Sequence, residues 1–300
     1  MNAHRSGFVS ILGRPNAGKS TLLNALLGQK LTIVTPQPQT TRNRILGIYD
    51  TEEYQIVFQD TPGLLAPRDA MHKFMADEVQ RAIESTDVVL LLIDAKKGIG
   101  GRERHLCEIL TKPALEQDNP AVFILLNKMD LIHPSKVEEV LAQVESKPFP
   151  KSAKAITLSA LHGTGVNDVM DAVKQSLPEG PKYYDPDMLT DRTERFLVEE
   201  LIREQAFLHV REEIPHALAV HVERMDDAPE REKVFIEANV IVERDSQRFI
   251  LIGKGGSMIK SIGQKARKEI EELLGRPVFL SLHVKVIKKW RKAEGALREL

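Results

Sequence analysis

Residues 13–20 read GRPNAGKS and lie between an apolar run at 8–12 and a helix-like stretch that reaches Leu27. A loop with this G-x-x-x-x-G-K-S spacing, preceded by a strand and followed by a helix, is typical of phosphate binding. Its glycines let backbone N–H groups point at an anion, and the helix N-terminus adds partial positive charge. A lysine supplies an ammonium for the outer phosphates, and a serine supplies a hydroxyl for Mg²⁺. The residues predicted to hold the phosphates are Gly13, Asn16, Ala17, Gly18, Lys19, Ser20 and Thr21.

A second polar cluster indicates which base accompanies the phosphates. Asn127, Lys128 and Asp130 form an N-K-x-D sequence directly after a buried-strand pattern. A carboxylate there can accept from both N1–H and the 2-amino group of guanine, whereas adenine would leave it buried and unpaired. Asn127 would tie this loop to the phosphate loop, and the Lys128 stem would lie along the base. Ser159 and Ala160 follow a further strand pattern, and the Ala160 N–H would reach the guanine O6.

Two other segments would complete a Mg²⁺ site. Asp60 follows an alternating strand pattern and opens the sequence D-T-P-G, where it would hold the Mg²⁺ shell. Gly63 closes this sequence and allows its N–H to sense the terminal phosphate. The segment 35–44, TPQPQTTRNR, is polar and proline-containing and is interpreted as a mobile loop. Either Thr40 or Thr41 would supply the second hydroxyl, and a loop held by that contact would loosen after hydrolysis.

Strand and helix patterns alternate up to about Leu177. This alternation predicts an α/β fold with a mainly parallel sheet and helices on both faces. The short connection between the second and third strands predicts an antiparallel hairpin. Every motif above follows the carboxyl end of a predicted strand, where open α/β sheets bind ligands. The predicted strands are 7–12, 45–50, 54–59, 88–94, 121–126 and 155–158, and the predicted helices are 18–27, 69–85, 101–111, 136–146 and 165–177.

The sequence PEGP at 178–181 ends this alternation and predicts a linker between two domains, 1–178 and 179–300. The second domain has an α+β pattern. By its apolar run alone, the stretch 248–252 would be a strand. The other predicted elements are a helix at 193–209, strands at 216–222, 234–242 and 278–287, a turn at 226–229 and a helix at 257–274.

Positive charge is concentrated around a second glycine-rich loop, Gly253-Lys254-Gly255-Gly256. A G-x-x-G loop clamps a nucleic-acid backbone because glycine leaves no side chain in the way. Residues 246–292 contain 12 Lys and Arg against 3 Glu, whereas the whole chain has 42 basic and 43 acidic residues. This asymmetry indicates nucleic-acid binding. The basic tail 285–292, which contains Trp290, would also suit an anionic membrane surface.

Composition restricts the class of protein further. A chain of 300 residues suggests about two domains. The single cysteine, Cys107, excludes a disulfide framework and fits a reducing cytoplasm. Residues 1–7 show no apolar leader pattern, and the longest apolar run, 88–93, is too short to span a bilayer. A cytoplasmic protein is expected.

These motifs, together with the phrase QTTR at 39–42, resemble the Era family of bacterial ribosome-assembly GTPases over essentially the whole chain. The resemblance implies GTP and Mg²⁺ as ligands. It implies a type II KH domain as the second domain, in which 248–252 is a short helix. It also implies a monomer that binds 16S ribosomal RNA near its 3′ end, assists assembly of the 30S subunit and associates peripherally with the inner membrane.

The resemblance also assigns roles to single residues. It favours Thr41 over Thr40 as the Mg²⁺ ligand. Asn16 stands where relatives hold a K⁺ ion, with a loop-stabilising side chain as the alternative. Leu64 stands where Ras-like proteins carry a water-orienting Gln, which predicts slow intrinsic hydrolysis. The catalytic residues implied are Lys19, Thr41, Asp60 and Gly63, the metal ligands are Ser20 and Thr41, and the RNA-binding residues are Gly253, Lys254, Gly255, Gly256, Lys260 and Lys285.

Two other classes of function remain open at this point. A tRNA-modifying relative would use the same G domain to drive chemistry on a base, and it predicts a flavin- or folate-binding segment that the sequence does not show. Alternatively, the C-terminal module would serve mainly protein or membrane-surface binding. Salt-dependent RNA binding that drops in Gly253→Asp and Lys254→Asp would favour the RNA function over this alternative.

Overall fold

The computed structural model describes residues 4–37, 40–63, 70–101, 103, 120–145, 149, 153–211, 214–228 and 230–292. These residues form two compact units. Within the described ranges, the first unit contains residues 4–32, 41–63 and 72–191, and the second contains residues 33–37, 40, 70–71 and 192–292.

The elements of the first unit agree closely with the predicted pattern. The predicted helix at 101–111 lies outside the described residues except for residues 101 and 103. Cys107 and Leu64 also lie outside them. The elements are β1 (Arg5–Gly13), α1 (Lys19–Leu27), β2 (Ile45–Asp50), β3 (Tyr54–Asp60), α2 (Ala70–Glu84), β4 (Val88–Asp94), β5 (Ala121–Asn127), α3 (Val137–Glu145), β6 (Lys154–Thr157) and α4 (Val166–Ser176).

The described strands of this unit form one sheet in the order β2-β3-β1-β4-β5-β6. All pairs are parallel except the β2–β3 hairpin, so the predicted α/β fold and its hairpin are confirmed. Every residue of β4 is buried, as expected for a strand that is covered on both faces. Because β1, β3, β4 and β5 are parallel, their carboxyl ends meet at one edge, and the motifs that follow them meet there too.

The chain after PEGP remains with the first unit up to Asp191. The Gly180 N–H donates to the His4 carbonyl at 3.1 Å, beside the start of β1. The Gln55 side chain accepts the Tyr183 N–H at 2.6 Å. These bonds fasten the segment along the sheet, so the glycine and prolines mark the end of the alternating pattern and not the end of the packed unit.

The second unit is built on a smaller sheet. In it β7 (Ala219–Asp226) is antiparallel to β8 (Val234–Val242), and β8 is parallel to β9 (Val278–Val286). Its elements are α5 (Glu194–His209), α6 (Ile214–Ala217), β7 (Ala219–Asp226), β8 (Val234–Val242), α7 (Asp245–Ile252), α8 (Ser257–Leu274) and β9 (Val278–Val286).

Most predicted elements of this unit are found. The strand predicted at 216–222 begins only at Ala219, because Ile214–Ala217 form a short helix. Pro215 accounts for the difference, since its fixed φ suits a first helical turn and it has no N–H to give a strand. The stretch 248–252 is helical, as the resemblance implies and against its apolar run.

Helices α5 and α8 cover one face of the small sheet. Their buried residues recur at helical spacing, with Val198 and Ile202 on α5 and Ile262 and Ala266 on α8. Alternate residues of β9, such as Leu282, pack against this cluster. The start of α8, which carries the glycine-rich loop, is therefore held in place by a continuous apolar core.

Candidate nucleotide site and nucleic-acid interface

The phosphate loop connects β1 to α1, and glycine determines its shape. Gly13 and Gly18 have φ of 153° and 102°, values that other residues rarely adopt. A Cβ at Gly13 would lie 2.5 Å from the Leu92 carbonyl oxygen, so there is also no space for a side chain. Gly18 caps α1, whose first turn, including Thr21, offers backbone N–H groups without intrahelical partners. This is the arrangement that binds phosphate.

Lys19 is enclosed by this loop and is only 6% exposed. Its ammonium donates to the carbonyls of Gly13 at 3.4 Å and Arg14 at 3.3 Å. Burial lowers the pKa of Lys19, and the nearby charge of Asp60 offsets part of that effect. A bound phosphate would supply the negative charge that this buried ammonium needs.

Three oxygen-bearing side chains meet beside Lys19. The Ser20 hydroxyl donates to Asp60 Oδ2 at 2.7 Å and lies 2.9 Å from the Thr41 hydroxyl, which is 3.3 Å from the same carboxylate oxygen. Thr40 is not part of this cluster, since its hydroxyl bonds to Thr35 and to the Gln37 carbonyl. Thr41, and not Thr40, therefore lies with Ser20 and Asp60 in the oxygen cluster.

The chemistry of this cluster fits Mg²⁺, which prefers oxygen ligands. Asp60 is fully buried, and its Oδ1 has no hydrogen-bond partner among the described residues. Burial raises the pKa of Asp60, while Lys19 and the hydroxyls of Ser20 and Thr41 act to lower it. A buried carboxylate with a spare oxygen beside two hydroxyls is a donor set that a divalent cation would complete.

Gly63, at the end of D-T-P-G, lies against the phosphate loop. A Cβ at Gly63 would be 2.6 Å from the Pro15 nitrogen, so only glycine fits there. The Thr61 hydroxyl donates to the Ile11 carbonyl at 2.7 Å and fixes the start of this segment. The Gly63 backbone is thus close enough to the loop to respond to what the loop holds.

The N-K-x-D loop joins the phosphate loop through Asn127. Its amide donates to the Ala17 carbonyl at 2.8 Å, and its Oδ1 accepts the Ala160 N–H at 2.9 Å. The Ser159 hydroxyl donates to Asp130 Oδ1 at 2.6 Å, which orients this carboxylate. The structure brings all the sequence-predicted base-binding residues together at the edge that carries the phosphate loop.

Lys128 makes the second connection between the two loops. Its ammonium donates to the Asn16 carbonyl at 2.6 Å and to Asp94 Oδ2 at 2.9 Å. Lys128 therefore links the base loop to the phosphate loop.

The phosphate loop also has a partner outside the predicted motifs. Arg14 forms an ion pair with the fully buried Glu103. No sequence motif singled out Asp94 or Glu103. The available signal for Asp94 was its place directly after an apolar strand run, like Asp60 and Asn127.

The second glycine-rich loop lies between α7 and α8. Gly253, Gly255 and Gly256 have φ of 71°, 60° and 80°, so each needs the left-handed backbone that glycine tolerates. Lys254 is exposed at this turn. The loop thus presents open backbone and one ammonium to solvent, as expected for a nucleic-acid backbone clamp.

A groove of about 250 Å³ runs beside this loop, between α8 and β9. On α7, Phe249 is 71% exposed and Ile250 is 52% exposed. An apolar floor with basic edges is suited to unpaired bases and their phosphates. The groove is lined by Ile259, Lys260, Gly263, Gln264, Arg267, Leu280 and Leu282.

Two residues of the basic tail, Lys285 and Trp290, do not belong to this groove. Lys285 is on the face of β9 opposite to Leu282 and α8, because strand side chains alternate, and it forms an ion pair with Glu223. The structure therefore does not bring Lys285 together with the G-x-x-G loop. Trp290 is 2% exposed and donates to the Ala217 carbonyl at 3.0 Å. The ring belongs to the core of this unit, so any membrane contact by the tail would depend on its basic residues and not on the indole.

Among the described residues, no helix combines the length and apolar character needed to cross a bilayer. The fold and the site together define a class: a phosphate-loop protein with a guanine-type base loop and a Mg²⁺-type oxygen cluster, followed by a G-x-x-G module.

Comparison with known proteins extends this assignment. The family profile described as "50S ribosome-binding GTPase" matches residues 8–128, and the profile described as "KH domain" matches residues 213–291. GTPase Era of Carboxydothermus hydrogenoformans is 43% identical over 296 residues, covering 99% of this chain and 97% of the relative. GTPase Era of Caldanaerobacter subterraneus subsp. tengcongensis is 42% identical over 298 residues, covering 99% and 98%.

Solved structures agree. A crystal structure of Era in complex with MgGDPNP and nucleotides 1506–1542 of 16S ribosomal RNA has a TM-score of 0.91, with 36% identity and 98% coverage of both chains. A variant of Aquifex aeolicus Era bound to GDP·AlF4⁻ has a TM-score of 0.92, with 37% identity and the same coverage of 98%. The chain belongs to the Era family of GTPases.

Proposed function

We propose that the protein is a GTP-driven switch that binds 16S ribosomal RNA near its 3′ end and assists assembly of the 30S subunit. The unit that carries the phosphate loop, which continues to Asp191, would bind and slowly hydrolyse GTP. The unit that carries the G-x-x-G loop would bind unpaired RNA, and the protein would act as a monomer. The observation that carries this proposal is the pairing of a guanine-type nucleotide site with an exposed, basic G-x-x-G surface in one chain. The RNA complex of the Era relative supports it.

Separate side chains of the nucleotide site would bind the phosphates, the base and Mg²⁺. Lys19 would neutralise charge on the phosphates, and Asp130 would accept from the guanine edge. Mg²⁺, when bound, would be held by Ser20 and Thr41 with Asp60 behind them, and it supplies charge that opposes that of the phosphates. The Gly63 N–H would contact the terminal phosphate only when that phosphate is present. Leu64 stands where Ras-like proteins carry a Gln that orients the attacking water, so we expect slow intrinsic turnover.

Thr41 gives the switch a physical basis. It belongs to the segment that links α1 to β2, and its hydroxyl meets Ser20 and Asp60 in the cluster suited to Mg²⁺. Loss of the terminal phosphate would weaken the hold on this residue. GTP would favour the RNA-bound state and hydrolysis would favour release, to the extent that RNA affinity differs between the two nucleotide states.

A K⁺ ion beside the nucleotide is a further part of the proposal, with Asn16 as its ligand. Asn16 has a left-handed backbone with φ of 61°, which places it at the bend of the phosphate loop. The test is turnover in K⁺ and in Na⁺ at equal ionic strength. Faster turnover in K⁺ that is lost in Asn16→Ala supports the ligand role, whereas equal turnover leaves Asn16 as a loop-stabilising residue.

The proposed site of action is the cytoplasm, where ribosomal subunits assemble. Peripheral association with the inner membrane would have to rest on the exposed lysines of the tail, Lys288 and Lys289, because Trp290 is buried. Co-sedimentation with vesicles that contain anionic lipid, compared with neutral vesicles, tests this contact separately from RNA binding.

The deciding experiment measures affinity for a single-stranded oligonucleotide with the sequence of the 16S 3′ end. It is repeated with a GTP analogue, with GDP and without nucleotide, and at several salt concentrations. We expect the tightest, salt-dependent binding with the GTP analogue. Equal affinity in all three states would refute the switch while leaving the GTPase intact. No salt-dependent binding in any state would favour a protein- or membrane-binding role for the second unit.

A further inference from the structure

Asp94 is a buried carboxylate at the carboxyl end of β4 that the nucleotide mechanism does not use. It is 3% exposed. One carboxylate oxygen, Oδ1, accepts the backbone N–H of Lys96 at 3.1 Å and that of Lys97 at 3.3 Å. The other, Oδ2, lies 2.9 Å from the Lys128 ammonium. Asp94 therefore caps the turn after β4 and at the same time holds a side chain of the base loop.

The backbone around Asp94 is fixed by the sheet. Asp94 is in register with Asn127 on the neighbouring strand β5, and the Ala95 N–H donates to the Asn127 carbonyl at 2.9 Å. A carboxylate on such a backbone has little freedom, so it can act as a fixed point for a mobile partner.

Lys128 is the mobile partner. Its four-carbon stem has high rotamer entropy, and its side chain is 29% exposed. Its ammonium is held by the Asn16 carbonyl and by Asp94. The stem therefore runs from the base loop to an ammonium that is anchored on the phosphate loop. A lysine held at its tip presents its methylene groups as a flat apolar strip.

We propose that Asp94 is a positioning residue for guanine-nucleotide binding. Its carboxylate fixes the Lys128 ammonium so that the lysine stem lies ready against the face of the base. This inference rests on the proposed nucleotide function and adds a residue to it. The role differs from that of Asp130, because a stem against the face of the ring does not distinguish the groups at its edge.

The test uses Asp94→Asn, which removes the charge but keeps an oxygen to cap the turn. We expect affinity for GTP and for GDP to fall by the same factor, on the order of tenfold, since an interaction with a charged group is lost. Inosine triphosphate, which lacks the 2-amino group, should lose the same factor. The kcat at saturating GTP should stay unchanged, because the hydrolytic end of the nucleotide is not touched.

The matched control is Asp87→Asn, which makes the same change at the residue directly before the first residue of β4. Asp87 accepts the Phe8 N–H at 2.7 Å and has no role in the nucleotide site. Its substitution should leave nucleotide affinity unchanged. Where Asp94→Asn does not fold, as judged by circular dichroism, Asp94→Ser keeps a capping oxygen and replaces it in the comparison.

A double-mutant cycle with Lys128→Met identifies the route of the effect. If Asp94 acts through Lys128, the double variant loses no more affinity than Lys128→Met alone. Additive losses, unequal losses for GTP and inosine triphosphate, or the same loss in Asp87→Asn would each overturn the inference. Wild-type preference for GTP over ATP tests the proposed function itself, so the two can fail separately.

Discussion

The nucleotide site and the G-x-x-G surface have opposite constructions. Lys19 and Asp60 are buried, with the Lys19 ammonium held by carbonyls of its own loop and Asp60 held by the Ser20 hydroxyl. On the G-x-x-G surface, Lys254 and Phe249 face solvent, and the loop offers mainly backbone. A small, highly charged ligand needs a preorganised, desolvated site, whereas a long flexible polyanion needs an accessible one. Changes in the first site should therefore be severe and specific, and changes in the second should be graded and sensitive to salt.

The largest effect is expected for Lys19→Ala. It removes the buried ammonium that opposes the phosphate charge, and no other described side chain occupies its place. We expect GTP affinity or turnover to fall by on the order of 100-fold or more, since several charge-assisted hydrogen bonds are lost together. Nucleotide titration and phosphate release measure this. Lys136→Ala, an exposed lysine on the same unit, is the control and should show no loss. A Lys19→Ala protein with near-normal GTP binding would contradict the preorganised site.

Asp130→Asn should change which nucleotide is bound. The amide accepts less well from guanine but can donate to the 2-carbonyl of xanthine. We expect GTP affinity to fall by about 10- to 100-fold while xanthosine triphosphate gains, because buried polar groups discriminate strongly when left unpaired. Competition between the two nucleotides measures the reversal. An intact preference for GTP would refute the pairing of Asp130 with the base edge.

Lys254→Asp should give a smaller, salt-dependent loss on the open surface. The change replaces one cation with an anion beside the RNA backbone. We expect about tenfold weaker RNA binding at low salt, a shallower dependence of affinity on salt, and unchanged GTP hydrolysis without RNA. Gly253→Asp should reduce RNA binding as well, with added backbone strain at its φ of 71°.

Lys285→Asp sharpens the same comparison. Because Lys285 lies on the opposite face of β9 and pairs with Glu223, its substitution should weaken RNA binding less than Lys254→Asp. An equal loss in the two variants, measured at one salt concentration, would show that the sheet face also contacts RNA and that the binding surface is wider than the groove.

The smallest expected effect is the pH dependence of the stability that Glu103 contributes. Burial acts to raise its pKa, but hydrogen bonds from Arg14, from its own backbone and from Gly100, with the Arg14 charge, leave it below its ordinary value of 4.5. The native state therefore favours the carboxylate. Its stabilising contribution is complete above about pH 4.5 and is lost as pH falls through the lowered pKa.

The measurement is the difference in thermal midpoint between wild type and Glu103→Gln. We expect a difference of a few degrees at neutral pH that shrinks in acid. Glu138→Gln, on the exposed face of α3, should show no such pH dependence. A difference that does not change with pH would mean that Glu103 stabilises the phosphate loop by shape and not by charge.

More of the nucleotide site than of the G-x-x-G surface could be predicted from the sequence. Residues 13–20 and the N-K-x-D loop could be interpreted because their chemistry is carried by contiguous residues after strong strand patterns. The mainly parallel sheet and its antiparallel hairpin were predicted from the alternation of strands and helices and from one short connection. Thr40 and Thr41 could not be separated by residue type, since both are hydroxyls on one loop. The resemblance to the Era family favoured Thr41, and the contacts of Thr41 with Ser20 and Asp60 agree with that choice.

In the second unit, local patterns gave the elements but not the orientation of their side chains. The apolar run at 248–252 suited a strand, yet it is helical, because its buried Leu251 joins the core under α8 while Phe249 and Ile250 remain outside. Lys285 and Trp290 were interpreted as one basic, aromatic tail. Strand alternation and core packing separate them, and neither effect can be seen in composition.

By itself, the sequence determined the chemistry that could be done: which residues could meet phosphate, guanine and RNA, and on which kind of fold they would lie. Spacing suffices for this because a loop or a strand is a local structure with a fixed period. The tertiary structure decided which distant residues act as partners, such as Asp94 with Lys128 and Glu103 with Arg14. It also decided which side chains of the basic segment face solvent. The physical reason is that burial and pairing arise when separate strands and helices pack together, and that packing sums over contacts far apart in the chain.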